Sequence, residues 1–104
     1  MLYPPAKIAI IVSDMLGVSL EKMRGRDRKD RIVYARRLYA CAAQDEGHSY
    51  PDITRGLRRV RHSTGFGWCQ NAPHTDEFER DLQAVHCAID YYKRLYLSKN
   101  NPLS

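Results

Sequence analysis

Long apolar runs are missing from this sequence of 104 residues. No apolar stretch approaches the length of about 18 residues that a membrane-spanning helix needs. Residues 1–11 also lack the pattern of an export signal, since Pro4 and Pro5 stand where a charged region followed by an apolar core would be required. We therefore expect a cytoplasmic protein without a membrane partner.

Paired cysteines are missing too. Cys41, Cys69 and Cys87 are far apart and form no C-x-x-C pair, so we expect reduced, buried thiols. His74 and His86 could join Cys69 and Cys87 at a metal. However, the four residues between Cys69 and His74, and the adjacent His86 and Cys87, do not match the spacing of structural zinc sites. We predict no metal and no cofactor.

The sequence also offers no complete catalytic constellation. His48 beside Ser49 could suggest nucleophilic chemistry, but no third residue that would orient the pair is evident. We predict that the protein is not an enzyme.

Strand signals are absent, since no run alternates cleanly between apolar and polar residues and no Asn-Gly type hairpin dipeptide occurs. We predict an all-α fold. A chain of 104 residues that is 43% hydrophobic can form one small core. The expected architecture is a single domain over 1–104, a compact helical domain with a helix-turn-helix and a long C-terminal helix.

Capping residues predict where the first three helices begin and end. The first helix begins around Pro5 or Ala6 and ends at Gly17, and Ser19 caps a very short second helix through Met23. Asp30 is expected to cap a longer third helix, which ends at Gly47.

Residues 49–70 are predicted to form the helix-turn-helix. Ser49 is the expected N-cap of a first helix of about two turns, and a basic turn follows it. In the second helix, Phe66 and Cys69 form an apolar pair at i, i+3 behind the polar residues 62–64. A polar first turn and an apolar body are what a DNA recognition helix requires.

The longest predicted helix covers residues 75–98. Apolar residues recur along it at heptad-like steps, in the order Phe78, Leu82, Val85, Ile89, Tyr92 and Tyr96. Since this seam continues past Tyr92, we expect part of it to be exposed. Our hypothesis is a homodimer formed through this helix.

Positive charge is concentrated in the middle of the chain. Residues 22–61 contain twelve basic and five acidic residues, a net charge of +7, so the remainder carries −2 of the total of +5. From Arg24 to Arg31 there is no apolar side chain, so this stretch must be a solvated loop or one that contacts a ligand. Such a balance favours a polyanionic partner.

The order of these features resembles the C-terminal DNA-binding domain of the bacterial replication initiator DnaA. The resemblance covers roughly residues 6–72 and depends on the Arg-rich loop, on Ala35-Arg36-Arg37, and on two ordered segments, His48-Ser49-Tyr50-Pro51-Asp52-Ile53 and Arg61-His62-Ser63-Thr64. It implies that the helix-turn-helix enters the major groove of double-stranded DNA and that the Arg-rich loop reaches into the neighbouring minor groove.

The resemblance also implies roles for individual residues. His62, Ser63 and Thr64 match the family's base-contacting His-Thr-Thr, Arg26 or Arg28 would enter the minor groove, and Arg36 matches the arginine that follows the loop. With the other basic residues, the predicted DNA-binding set is Arg24, Arg26, Arg28, Lys29, Arg31, Arg36, Arg37, Arg58, Arg59, Arg61, His62, Ser63 and Thr64.

Three departures from the family limit what is carried over. Arg61 stands where the family has an acid, which exchanges an acceptor from cytosine for a donor to guanine, so the target sequence is not transferred. Gly65 and Gly67 each lower helix propensity by about 1 kcal/mol relative to Ala, which predicts a recognition helix that is short, frayed or ordered only on DNA. No phosphate-binding loop of the G-x-x-x-x-G-K-[ST] type is present, so we predict that the chain is not an initiator.

We therefore predict a sequence-specific double-stranded DNA-binding protein that regulates transcription or replication. The alternative is a protein-interaction module that uses the C-terminal helix and has only non-specific attraction to DNA. Since phosphate attraction alone gives affinity without choice of site, specificity must come from residues 61–64 and from the loop arginines.

Overall fold

A computed structural model describes residues 2–58 and 63–100, with the backbone alone for Ser63 and residues 97–100. The described residues form six helices and no strand, which confirms the all-α fold. The helices are α1 (Pro5–Leu16), α2 (Leu20–Arg24), α3 (Asp30–Glu46), α4 (Tyr50–Gly56), α5 (Ser63–Gln70) and α6 (Asp76–Asn100). None of these helices combines the length and the apolar character that crossing a membrane requires.

Most of the predicted helix ends are confirmed because they are set by local chemistry. Gly17 and Gly47 end α1 and α3 with φ angles of 64° and 112°, a left-handed conformation that glycine adopts without strain. The Ser19 hydroxyl accepts a hydrogen bond from the Lys22 N–H, and Ser49 caps α4 in the same way.

The predicted cap of α3 was wrong by one residue. Lys29 is the N-cap, and Asp30 is the first residue inside the helix. The reason is that Asp27 already organises this turn, since its carboxylate accepts a hydrogen bond of 2.9 Å from the Lys29 N–H. Asp30 is left in the first turn, where a negative charge interacts favourably with the helix dipole.

The core is built around α3, which contacts each of the other five helices. Small buried residues on α3, among them Ala35, Ala42 and Ala43, let the neighbouring helices approach closely. One cluster of buried apolar side chains joins α3 to the remaining helices, and its largest members are Tyr39, Phe78, Ile8, Met23, Leu38, Ile53, Leu57, Ile89, Val12 and Val85.

Helix α6 runs beside α3 in the same direction. The Tyr34 hydroxyl donates a hydrogen bond of 2.5 Å to the Asp81 carboxylate, and Lys93 forms an ion pair with Glu46. A third contact, between His86 and Asp45, joins residues 41 positions apart, so the contact partners follow the same order along both helices without one fixed register. Helix α6 then continues for seven residues beyond Lys93, past the end of α3.

This geometry explains why the heptad-like seam of α6 is buried along only part of its length. Phe78, Val85 and Ile89 lie in the core, as predicted, whereas Tyr92 and Tyr96 are exposed. Because α3 ends at Glu46, it offers no further surface for the distal part of α6. The expectation that part of the seam is exposed is confirmed.

Candidate nucleic-acid interface

Helices α4 and α5 cross at a contact that only glycine can occupy without rearrangement. The Gly65 N–H donates a hydrogen bond of 2.9 Å to the buried Thr54 hydroxyl, which itself donates to the Tyr50 carbonyl. A Cβ atom at Gly65 would lie 2.8 Å from both the Thr54 Oγ1 and the Tyr50 carbonyl oxygen. Gly65 was expected to weaken α5, but it also permits the close crossing that positions this helix.

The inner face of α5 is anchored on α3 by aromatic contacts. The Trp68 ring meets the Tyr39 ring edge to face, with 6.3 Å between the centroids. The Tyr39 hydroxyl donates a hydrogen bond of 2.5 Å to the Ile53 carbonyl on α4. Burial raises the pKa of Tyr39, with a smaller contribution from the charge of Asp52, so this hydroxyl keeps its proton and remains a donor. One tyrosine therefore ties α3, α4 and α5 together.

The outer face of α5 differs from the prediction at one residue. Phe66 was expected to pack beside Cys69, but it is exposed and its ring meets the Tyr50 ring at 5.2 Å. Cys69 is partly buried on the inner face. Because successive helical residues are about 100° apart, Gly65, Trp68 and Cys69 occupy the inner face and direct Phe66 outward.

The loop between α2 and α3 is held from behind by Arg36. Its side chain is only 5% exposed, and its guanidinium donates three hydrogen bonds of 2.8–3.0 Å, to the carbonyls of Met23, Lys22 and Gly25. Lys22 and Met23 lie in the last turn of α2 and Gly25 is the first residue of the loop, so one guanidinium joins the end of α2 to the loop. Arg36 was predicted to contact DNA; the structure uses these donors inside the fold, and a DNA contact of Arg36 stays a prediction.

The other predicted cations in and beside the loop differ in their freedom to contact a ligand. On the flanking helices, Arg24 and Arg37 are half-buried, and Arg31 is exposed but donates a hydrogen bond to the Leu16 carbonyl. Within the described residues, the Nε of Arg24 is buried and has no hydrogen-bond partner. The exposed loop cations are Arg26, Arg28 and Lys29. Exposed cations on the loop can approach a phosphate backbone or a groove without disturbing the core.

The basic turn after α4 is described only at its beginning. Arg58 is exposed and has a φ of 58°, in the left-handed region that non-glycine residues seldom adopt. Its N–H donates a hydrogen bond of 2.8 Å to the Arg55 carbonyl. Arg59, Arg61 and His62 lie outside the described residues.

Helix α5 begins immediately after this turn. Ser63 is its first residue, and the Thr64 side chain is partly exposed. Thus, of the predicted base-contacting residues, Ser63 is described by its backbone and Thr64 by its side chain as well.

The cysteines only partly match the expectation of buried thiols. Cys41 and Cys69 are partly buried and share a hydrogen bond between their side chains, which raises the pKa of Cys41 and lowers that of Cys69. Cys87 is exposed on α6, contrary to the prediction, because it lies away from the seam that contacts the core. Among the described residues, no three His, Cys, Asp or Glu side chains are grouped where they could hold a metal ion.

Comparison with known protein families identifies the family to which this helical domain belongs. A family described as the bacterial DnaA protein helix-turn-helix matches residues 5–70, more than half of the chain. The chain belongs to this family. It is therefore a DNA-binding protein, and α4 and α5 provide its helix-turn-helix. The match ends before α6 begins. Neither the curated proteins nor the solved structures gave a match.

Sequence reasoning missed three positions that build this interface. Gly65 and Gly56 were not recognised as close-contact sites, although a Cβ atom at Gly56 would overlap the Tyr39 hydroxyl. Phe66 was assigned to the wrong face. The sequence offered one signal for the two close contacts: Gly56 and Gly65 stand in predicted helices, where glycine lowers helix propensity.

Proposed function

We propose that this DnaA-type domain binds specific sequences in double-stranded DNA. Helix α5 enters the major groove, the 25–29 loop reaches into the neighbouring minor groove, and occupancy of the site regulates transcription or replication. The observation that carries the proposal is that one helix, α3, positions both elements. Tyr39 of α3 contacts Trp68 of α5, and Arg36 of α3 donates to the Gly25 carbonyl at the start of the loop and to the Met23 carbonyl just before it.

Exposed cations support affinity for DNA in general. Arg26, Arg28, Lys29 and Arg58 are all exposed, so each can meet a phosphate without losing a contact in the core. Phosphate attraction of this kind typically gives non-specific dissociation constants on the order of 10⁻⁴–10⁻⁶ M. It contributes the same amount at every sequence, so a preference for one site needs contacts with base edges.

Residues at the start of α5 supply those contacts in our proposal. Thr64 is partly exposed in the first turn of the helix, the part that reaches base edges in helix-turn-helix complexes. The residues before it, Arg61 and His62, are assigned here from the sequence. Arg61 replaces an acid of the family, so we propose a target that differs from the family's.

A salt titration separates this proposal from its alternative, a protein-interaction module with only non-specific attraction to DNA. Binding would be measured by fluorescence anisotropy on a duplex enriched from a random library and on a scrambled duplex of the same composition. We expect both affinities to fall with salt while the gap between them persists. Equal affinities that fall together at every salt concentration would reject specific binding.

We also propose that two copies associate through the distal half of α6. The supporting observation is an exposed group of large side chains on this helix, namely Tyr91, Tyr92, Leu95 and Tyr96, of which Tyr91 is 59% exposed. A dimer would present two recognition helices to DNA. Sedimentation at micromolar concentration should show twice the chain mass of 12.1 kDa. A single 12.1 kDa species with and without DNA would refute the dimer.

A further inference from the structure

One large apolar side chain lies on the outward face of the recognition helix. Phe66 is 45% exposed, whereas the opposite face of α5 packs on α3 and α4. Its ring is not loose, because it meets the Tyr50 ring nearly at a right angle, 88° between the planes. Tyr50 is held in turn, since its hydroxyl accepts a hydrogen bond of 2.9 Å from the Gln44 amide. The fold thus presents an ordered aromatic ring to the outside.

The next residue, about 100° further round the helix, leaves the adjoining outer surface open. A Cβ atom at Gly67 would meet nothing within 4 Å, so the fold does not require glycine there. Glycine nevertheless lowers helix propensity by about 1 kcal/mol relative to Ala. Because Gly67 has no side chain, the α5 backbone can approach the surface of a ligand bound on its outer side. The neighbouring Phe66 ring would then contact that ligand.

The major groove offers few partners for such a ring. Guanine, cytosine and adenine present polar donors and acceptors there, and thymine alone presents an apolar group, its C5 methyl. A phenyl ring placed against a polar edge would remove water from that edge without replacing its hydrogen bonds. Against a methyl group it would bury apolar surface on both sides.

We propose that Phe66 is a specificity-determining residue that recognises a thymine through its C5 methyl group. This inference rests on the proposed entry of α5 into the major groove. The ordered position of the ring supports it, because a side chain that is already fixed loses little conformational freedom on binding.

The test removes the methyl group from the DNA and the ring from the protein. In a duplex enriched from a random library, each thymine would be replaced in turn by deoxyuridine, which lacks only the C5 methyl. The wild-type protein should bind about fourfold more weakly at one position, the equivalent of burying one methyl-sized group. Phe66→Ala should bind the thymine duplex more weakly and should lose no further affinity when that thymine becomes deoxyuridine.

Ile10→Ala is the matched control, because Ile10 is exposed to a similar extent, 47%, on α1. It should retain both the affinity and the sensitivity to deoxyuridine. If the wild-type protein prefers the enriched duplex but no deoxyuridine replacement weakens binding, the inference about Phe66 is overturned and the proposed function stands. The inference is also overturned if Phe66→Ala keeps the sensitivity to deoxyuridine. If the wild-type protein does not distinguish the enriched duplex from a scrambled one, the proposed function itself fails.

Discussion

The two regions that we propose contact DNA, the 25–29 loop and α5, are held on α3 by different kinds of interaction. The loop is fixed by hydrogen bonds from one buried cation, since Arg36 donates to the Gly25 carbonyl at its start and to the Lys22 and Met23 carbonyls of α2 just before it. Helix α5 is fixed by close packing, with Gly65 against α4 and Trp68 against α3. Its described anchors include no charged side chain.

This difference teaches that basic residues close in sequence can have opposite roles. Arg26 and Arg28 are exposed, whereas Arg36 is buried and Arg31 is bonded to a carbonyl of α1's last residue, Leu16. All four contribute equally to the net charge. Arg26 and Arg28 can contact phosphates without breaking a hydrogen bond to Leu16 or to α2, and Arg36 fixes the loop that carries them.

The largest effect is expected from removing the buried anchor. Arg36→Met should lower the free energy of unfolding by about 3 kcal/mol, because hydrogen bonds from a charged donor contribute about 1.5–3 kcal/mol each. Urea unfolding monitored by circular dichroism would measure the loss. Arg28→Met, the same change at an exposed loop position, should stay within about 0.5 kcal/mol of wild type. Similar losses in both variants would show that Arg36 does not hold the loop.

The close packing that holds α5 can be tested with two glycines of this helix. Gly65→Ala should destabilise the protein by about 1–3 kcal/mol, since its Cβ atom would press on Thr54 and the Tyr50 carbonyl. Gly67→Ala should stabilise it by about 1 kcal/mol, because the position is open and alanine favours helix.

DNA binding should test the outer position of Gly67 independently of stability. Gly67→Ala is expected to weaken DNA binding despite its greater stability, as the added methyl group keeps the α5 backbone from the groove. Thermal unfolding and anisotropy on the same samples would show the split. Equal destabilisation by both alanines would contradict the assignment of inner and outer faces.

A smaller effect is expected from single exposed cations of the loop. Arg28→Ala should weaken binding to enriched and scrambled duplexes alike, and it should reduce the slope of log K against log salt by about 1. If instead Arg28→Ala altered only the preference between sequences, the loop would read bases rather than phosphates or groove width.

The smallest expected effect is a pH dependence of stability that comes from Glu46, which lies away from both the 25–29 loop and α5. At Glu46, burial favours the neutral acid, but the ion pair with Lys93 and a hydrogen bond of 3.2 Å from the Tyr3 N–H outweigh it and lower the pKa. A lowered pKa in the folded state means that this carboxylate stabilises the protein above its unfolded value of about 4.3. That contribution is lost as the pH falls below this value.

Thermal unfolding between pH 6 and pH 3 would test this, with Glu46→Gln as the comparison. We expect wild type to lose more stability than Glu46→Gln over this range. The fluorescence of Trp68, the only tryptophan of the chain, should report α5 unchanged until global unfolding. A change of Trp68 fluorescence at a higher pH or lower temperature than global unfolding would mean that the loss of the Glu46–Lys93 ion pair also disturbs α5.

What the sequence could predict depended on the range of the interactions. Gly17, Gly47, Ser19 and Ser49 act within one turn of chain, so their roles were visible without the fold. The buried position of Arg36 was not, because it depends on carbonyls 11–14 residues away. Tertiary contacts of this kind leave no periodic pattern in the sequence.

The recognition helix shows the same limit. Its apolar residues Phe66, Trp68 and Cys69 look alike as a pattern, and only the approach of Gly65 to α4 decides that Phe66 faces outward. The family resemblance supplied the order of the elements. It did not supply the contacts that orient them.

Selection from a random library of duplex DNA tests the central claim, that the first turn of α5 reads bases, most directly. The wild-type protein, Thr64→Ala and His62→Ala would be carried through the same rounds and the enriched sequences compared. We predict that wild type enriches one motif and that each variant relaxes it at specific adjacent positions, a loss of about 1–3 kcal/mol of discrimination. No enriched motif, or a motif that both variants enrich unchanged, would contradict the account.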